Sequence, residues 1–175
     1  MEHDDYDFEL DDDTLLAHEI LSEIRKIHKS NENKEKGNYE QPFTWDATNA
    51  QRHLCKRKKR KHLQKQAGMK EYNEIITKVL LENVDMSRSL VEPEKFAYGK
   101  RNVHNGTDWV VILTSERKVV TAFQADKPPE DYYTCFSEGR LYKPLRTYDA
   151  ADVIVTMENI DNESLSETSI ESENN

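Results

Sequence analysis

The feature that most constrains the fold is a pair of apolar runs lying close together, WVVILT (109–114) and VVTAFQ (119–124), separated only by SERK. Both runs are rich in β-branched and aromatic residues, which suit a pleated, half-buried surface. A four-residue polar connection has the length of a hairpin loop, whereas a parallel crossover needs a dozen residues or more. An antiparallel hairpin is therefore expected, and the rest of the fold must pack on it. Thr121 stands in the middle of the second run. It is either a β-branched packing residue or a hydroxyl held on a rigid strand where a ligand meets it. Pairing Thr114 with Val119 sets Thr121 opposite Ile112, on a face with Val110, Thr114, Val119 and Phe123. The other face carries Trp109, Val111, Leu113, Val120 and Ala122. Both faces carry apolar residues, so periodicity does not decide which side packs against helices, and the threonine's role stays open.

Upstream the period changes. From Asp13 or Thr14, either able to cap a helix, Leu15, Leu16, Ile20, Ile24 and Ile27 recur at helical spacing. Arg25, Lys26, His28 and Lys29 follow where the helix dipole favours cations. Residues 31–39 are polar and read as a linker. Thr44 and Thr48 are capping candidates for an almost wholly polar helix ending near Gly68. A second amphipathic helix over 70–83 puts Tyr72, Ile75, Ile76, Val79 and Leu80 on one face. Beyond Pro93, residues 96–101 read as a short strand interrupted by Gly99, Asn105-Gly106 as a tight turn, and 152–157 (DVIVTM) as a further strand. Helices followed by strands give an α+β class, with N-terminal helices packed on one face of a small antiparallel β-sheet.

Apolar residues make up 35% of the 175 and charged residues 34%, too lean for one core along the whole chain. The expected organisation is an acidic disordered tail (1–12), an amphipathic helix and linker (13–40), an α+β domain (41–157) and a second acidic disordered tail (158–175). No apolar stretch approaches the roughly 18 residues of a membrane span, and the acidic start MEHDDYDFELDDD is the electrical opposite of a signal peptide. A cytoplasmic protein without membrane contact is expected. Cys55 and Cys135 are far apart and read as reduced thiols.

The net charge of -9 hides strong segregation. Residues 1–50 carry 5 Lys/Arg against 14 Asp/Glu, residues 51–101 carry 14 against 6, and residues 102–175 carry 6 against 14. Screening confines each patch to about 8–10 Å, so the basic middle can meet a polyanion although the whole is acidic. Its densest part is KRKKRK, residues 56–61, in which Lys56, Lys58, Lys59 and Lys61 are candidates to hold backbone phosphates. A solvated charge run is the plain alternative. A second cluster, GKRNVH (99–104), places Lys100 and Arg101, suited to phosphate oxygens, beside His104, which can move protons near neutral pH. Nucleotide-binding glycine loops, paired CxxC motifs, HExxH and GxSxG are all missing from the sequence. Any enzymatic reading is therefore expected to need no metal and no cofactor.

HLQKQAGMKEYNEIITKVL (62–80), then Lys100-Arg101, then DWVVILTSERKVVTAFQADKPPEDYY (108–133) together resemble the barnase–EndoU–colicin–RelE class of small metal-independent ribonucleases. More narrowly, the chain resembles the toxin-domain and phage-associated branches of that class. The resemblance covers residues 62–133. It implies that His62 is a general acid or base, with His104 as the alternative imidazole. It implies that Arg101, or Lys100, holds the scissile phosphate, that the Thr121 hydroxyl hydrogen-bonds it, and that Tyr133 matches the aromatic residue after the hairpin. The short AGM after the histidine helix start and a hairpin turn without glycine depart from the pattern. The implied reaction is attack of a ribose 2′-hydroxyl on the adjacent phosphorus to give a cyclic phosphate, with RNA, tRNA or another cellular species, as substrate. Two other expectations stand beside it. One is a non-catalytic nucleic-acid-binding or regulatory protein of the same fold; the other is an interaction module. In the module reading, the acidic tails and the 15–27 helix face dock a protein partner or inhibitor.

Overall fold

Asp11 starts the first helix, because its carboxylate accepts the Thr14 N–H at 2.8 Å and so satisfies a donor the helix cannot pair internally. The computed structural model describes residues 11–82, 85–125 and 142–145. Helix α1 spans Asp12–Asn31, with Asp12 and Asp13 in its first turn and His28 and Lys29 in its last. Ala17, Ile20, Leu21 and Ile24 enter the main core. The helix face expected to be available for a partner is thus used inside the fold. After α1, the Asn31 side chain donates to the Glu40 carbonyl at 2.8 Å and accepts from the Glu40 N–H at 3.0 Å. This brace closes the loop that holds a short 3-10 turn at Lys36–Asn38.

Helix α2 (Ala47–Lys59) is capped by Asp46, which accepts the Asn49 N–H at 2.9 Å; neither Thr44 nor Thr48 takes that role. It also ends well before Gly68. Lys61 adopts a left-handed conformation with φ 62°, its N–H donates to the Lys58 carbonyl at 3.0 Å, and the His62 N–H donates to the Arg57 carbonyl at 2.8 Å. These two bonds satisfy the last helical carbonyls, a closure usually built on glycine. Gly68 instead precedes α3 (Met69–Leu81) as its N-terminal cap residue.

The sheet comprises β1 (Asp85–Ser89), β2 (Lys95–His104), β3 (Thr107–Thr114), β4 (Val119–Gln124) and β5 (Tyr142–Leu145), in the order β4-β3-β2-β1-β5. All neighbouring pairs are antiparallel. Gly99 does not interrupt β2; it pairs with Val110 on one side and Asp85 on the other. The strand continues through an irregularity between Lys100 and His104. There Asn102 sits at φ 53° and its N–H is held by the Asp108 carboxylate at 2.9 Å. Asn105 (φ 50°) and Gly106 (φ 76°) then turn the chain into β3, the two positive φ angles that a tight hairpin turn of matching twist requires.

Thr121 pairs with Ile112 as expected, but the register shifts next door, so that Leu113 pairs with Val119. Val119 therefore joins the helix-covered face, in one cluster with Phe96, Tyr98, Trp109, Val111, Leu113 and Ala122. Val120 packs with the second face, against a cluster of Ala97, Val110, Ile112, Phe123 and Ala125. Thr121, opposite Ile112, belongs to that second face. The main core joins α1 and α3 to the sheet and contains fully buried Tyr72, Tyr98 and Trp109. The chain is thus an α+β fold of N-terminal helices on an antiparallel sheet. The strand expected at 152–157, Tyr133, Cys135 and the tails at 1–10 and 158–175 lie outside the described residues.

Candidate active site

Among the described residues strand β4 lies at the edge of the sheet, and its outward-facing backbone groups need partners, since a buried unpaired group costs about as much as a lost hydrogen bond. The helices supply them. Asn49 Nδ2 donates to the Val120 carbonyl at 3.2 Å, Tyr72 Oη donates to the Ala122 carbonyl at 2.5 Å, and the Gln124 N–H donates to His62 Nδ1 at 3.4 Å. Before α2, Thr44 adds a one-residue parallel bridge, accepting the Val119 N–H at 2.7 Å. Covering this edge brings two histidines, His53 and His62, against one strand.

His62 lands there because the left-handed turn at Lys61 reverses the chain after α2. Its ring meets the edge of Trp109, centroids 6.2 Å apart, and Arg57 Nη1 lies 3.5 Å from the same Nδ1. A backbone N–H can only donate, so Nδ1 is an acceptor and the neutral ring carries its proton on Nε2. Toward a ligand His62 therefore offers Nε2–H as a donor. It lines a cleft of about 460 Å³ together with Lys58, Lys59, Lys61, His104 and Gln124. His104 enters from the far end of β2, with Asn105 Nδ2 3.3 Å from its Nε2 and the Glu71 carboxylate 3.7 Å away. The cleft thus unites two imidazoles with three lysines of the basic run.

Thr121 has a partner that the sequence did not point to. Its Oγ1 is 3.2 Å from His53 Nδ1, and the His53 ring stacks on Trp45 at 6.2 Å and 28°. Burial, then the charges of Arg57, Lys56 and Arg52, hold the His53 pKa below its ordinary value, which keeps the ring neutral at neutral pH. When Nδ1–H donates to Thr121, Nε2 carries a lone pair able to accept a proton. Arg57, one helical turn after His53 and only 5% exposed, lies over the Phe123 ring at 5.8 Å and within reach of His62. This guanidinium is shared by both histidines. Nothing local marks His53 as Thr121's partner, because 68 residues separate them in sequence.

The remaining candidates sit elsewhere. Lys100 pairs with Glu82 at 2.5 Å, and Arg101, exposed, acts on the Asp85 carboxyl, whose pKa is raised by burial and partly restored by that charge. Neither lines the cleft. Lys56 is exposed beside His53, and Tyr133 lies outside the described residues. Among the described residues no group of three or more His, Cys, Asp or Glu side chains is arranged to hold a metal ion, and no helix is long and apolar enough to cross a membrane. Comparisons of the chain with family models, with curated proteins and with solved structures returned no match.

Proposed function

We propose that the protein is a metal-independent endoribonuclease of toxin-like type, acting on RNA in the cytoplasm. The observation that carries this reading is the single cleft in which His62 and His104 face Lys58, Lys59 and Lys61. The lysines hold backbone phosphates and release their counterions. The nucleophile is the substrate's own 2′-hydroxyl, so no metal-bound water is required. A neutral imidazole takes the 2′-proton, the 2′-oxygen attacks phosphorus, and a protonated imidazole returns a proton to the leaving 5′-oxygen. The products are a 2′,3′-cyclic phosphate and a 5′-hydroxyl.

His53, kept neutral and oriented by Thr121 and Trp45, lies outside the lining of that cleft, farther along β4, and suits the base for a strand that runs from the cleft along this edge. His104, beside the Glu71 carboxylate, suits the acid. His62 Nε2–H, which lines the cleft, suits stabilisation of charge on the phosphate oxygens, a role first expected of Arg101, while Arg57 is buried and acts only through the two histidines. Acid–base help of this kind is worth typically about 10²–10⁴-fold. The test is cleavage of total RNA by purified protein in EDTA, followed on a denaturing gel for wild type, His53→Ala, His104→Ala and Thr121→Val. Loss of cleavage in the variants supports the reading, and intact RNA with wild type across a wide enzyme range overturns it.

A second reading, a non-catalytic RNA-binding or regulatory protein, is favoured by one observation: His62 Nδ1 is tied to the strand edge by the Gln124 N–H. That reading predicts salt-sensitive binding without cleavage.

A further inference from the structure

On the other side of α3 from its sheet contacts, the end of α1, residues 39–43 and the outer turns of α3 enclose a groove of about 580 Å³. Tyr39, Pro42, Phe43 and Leu81 form its apolar lining, and Tyr39 is 44% exposed. Glu32, Glu40 and Glu74 stand around it, with Lys78 as its lysine and His28 beside it; Glu82 also lines it but is held by Lys100. An apolar floor with an acidic surround matches the side chains of arginine and lysine, whose aliphatic stems pack on apolar and aromatic groups while their heads seek carboxylates.

We propose that this groove docks a basic peptide segment of a protein partner. Charge complementarity selects that occupant over the chain's own ends. Residues 1–10 carry five acidic side chains and no Lys or Arg, and residues 146–175 carry eight acidic side chains and Arg146 alone. An acidic groove repels both. The proposal does not rest on the ribonuclease reading, yet the groove touches the same site. Asn73 in its wall accepts a hydrogen bond from Trp45 Nε1 at 3.2 Å, and Trp45 stacks on His53. Trp45 is thereby a built-in reporter, because the chain's other tryptophan, Trp109, is fully buried in the core.

The experiment titrates the full chain with a synthetic peptide alternating arginine and leucine, reading tryptophan emission and calorimetric heat. A saturable change in Trp45 emission is expected, absent with a glutamate–leucine peptide. Binding should weaken about tenfold in the double variant Glu32→Gln/Glu74→Gln, two exposed positions where the fold tolerates the change, with far-UV circular dichroism as the check. Glu116→Gln, in the β3–β4 turn, should bind as wild type does. Trp45→Phe should lose the emission change and keep the heat. Equal losses for Glu116→Gln and the groove variant, or none for the groove variant, overturn the proposal. So does sedimentation showing, without peptide, a dimer that the groove variant abolishes, since the occupant is then a second copy of the chain.

Discussion

Replacing Lys61 by glycine should make the protein more stable and a poorer RNA binder at once. Lys61 sits at φ 62° in the turn that closes α2, a conformation that costs a residue with a Cβ about 1–2 kcal/mol. Glycine removes that cost but adds freedom to the unfolded chain, worth about 0.4–1 kcal/mol in the opposite sense. The net gain is about 0.5–1 kcal/mol, or roughly 1–4 °C in Tm for a chain of this size. The same substitution deletes one cation from the cleft. If Lys61 contacts a phosphate, the slope of log K against log salt for single-stranded RNA should fall by about 0.7. Differential scanning calorimetry and fluorescence anisotropy at several salt concentrations measure the two effects on one preparation. A lower Tm refutes the account of the turn. An unchanged salt slope refutes the assignment of Lys61 to the ligand.

Three further outcomes follow from the geometry. Tyr72→Phe leaves the Ala122 carbonyl on the β4 edge without its donor and should cost about 1–3 kcal/mol in urea unfolding, whereas an unchanged midpoint would show that the edge is otherwise satisfied. Thr121→Val keeps the shape and removes the hydroxyl next to His53; RNA cleavage should fall at least about tenfold while stability falls by about 0.5–1.5 kcal/mol, and full activity would return the threonine to a packing role. Burial, with the charge of Arg25, lowers the His18 pKa from 6.5 to about 4. The unfolded chain therefore takes up this proton first, so the contribution is complete above pH 6.5 and is lost as pH falls toward 4, on the order of 3 kcal/mol. His18→Gln should flatten unfolding free energy against pH across that window, and an unchanged slope would remove His18 as its cause.

The hairpin was legible because β-branched runs flank a short polar loop, and α1 and α3 because their apolar residues repeat at helical spacing. The end of α2 was not. KRKKRK carries no glycine or proline, and the turn that stops the helix is built on Lys61, where local preference gives no warning. Such a conflict between residue type and backbone is the kind that functional positions tolerate. Strand β1, DMSRS, looks like a loop because it is polar, yet Ser87 and Ser89 are buried; its order comes from two neighbouring strands. β5 contains Pro144, which argues against a strand anywhere but an edge, and among the described residues an edge is where it lies.

The site divides in the same way. Lys58, Lys59 and Lys61 announce themselves by density, and His62 and His104 by residue type, so the cleft's lining was largely readable. The partnership of Thr121 with His53 and the position of Arg57 between two histidines were not. Both depend on how α2 lies along the β4 side of the sheet. Arg57, buried within a basic run, shows why a charge cluster is a poor guide to which of its members faces solvent.

The most direct test of the central claim is the 2′-hydroxyl. Purified protein in EDTA is given an RNA oligonucleotide and a 2′-deoxy oligonucleotide of the same base sequence, with product ends analysed by mass spectrometry. The account predicts that the RNA is cut to a 2′,3′-cyclic phosphate and a 5′-hydroxyl, and that the deoxy strand is left intact. Cleavage of both strands, or of neither, contradicts it.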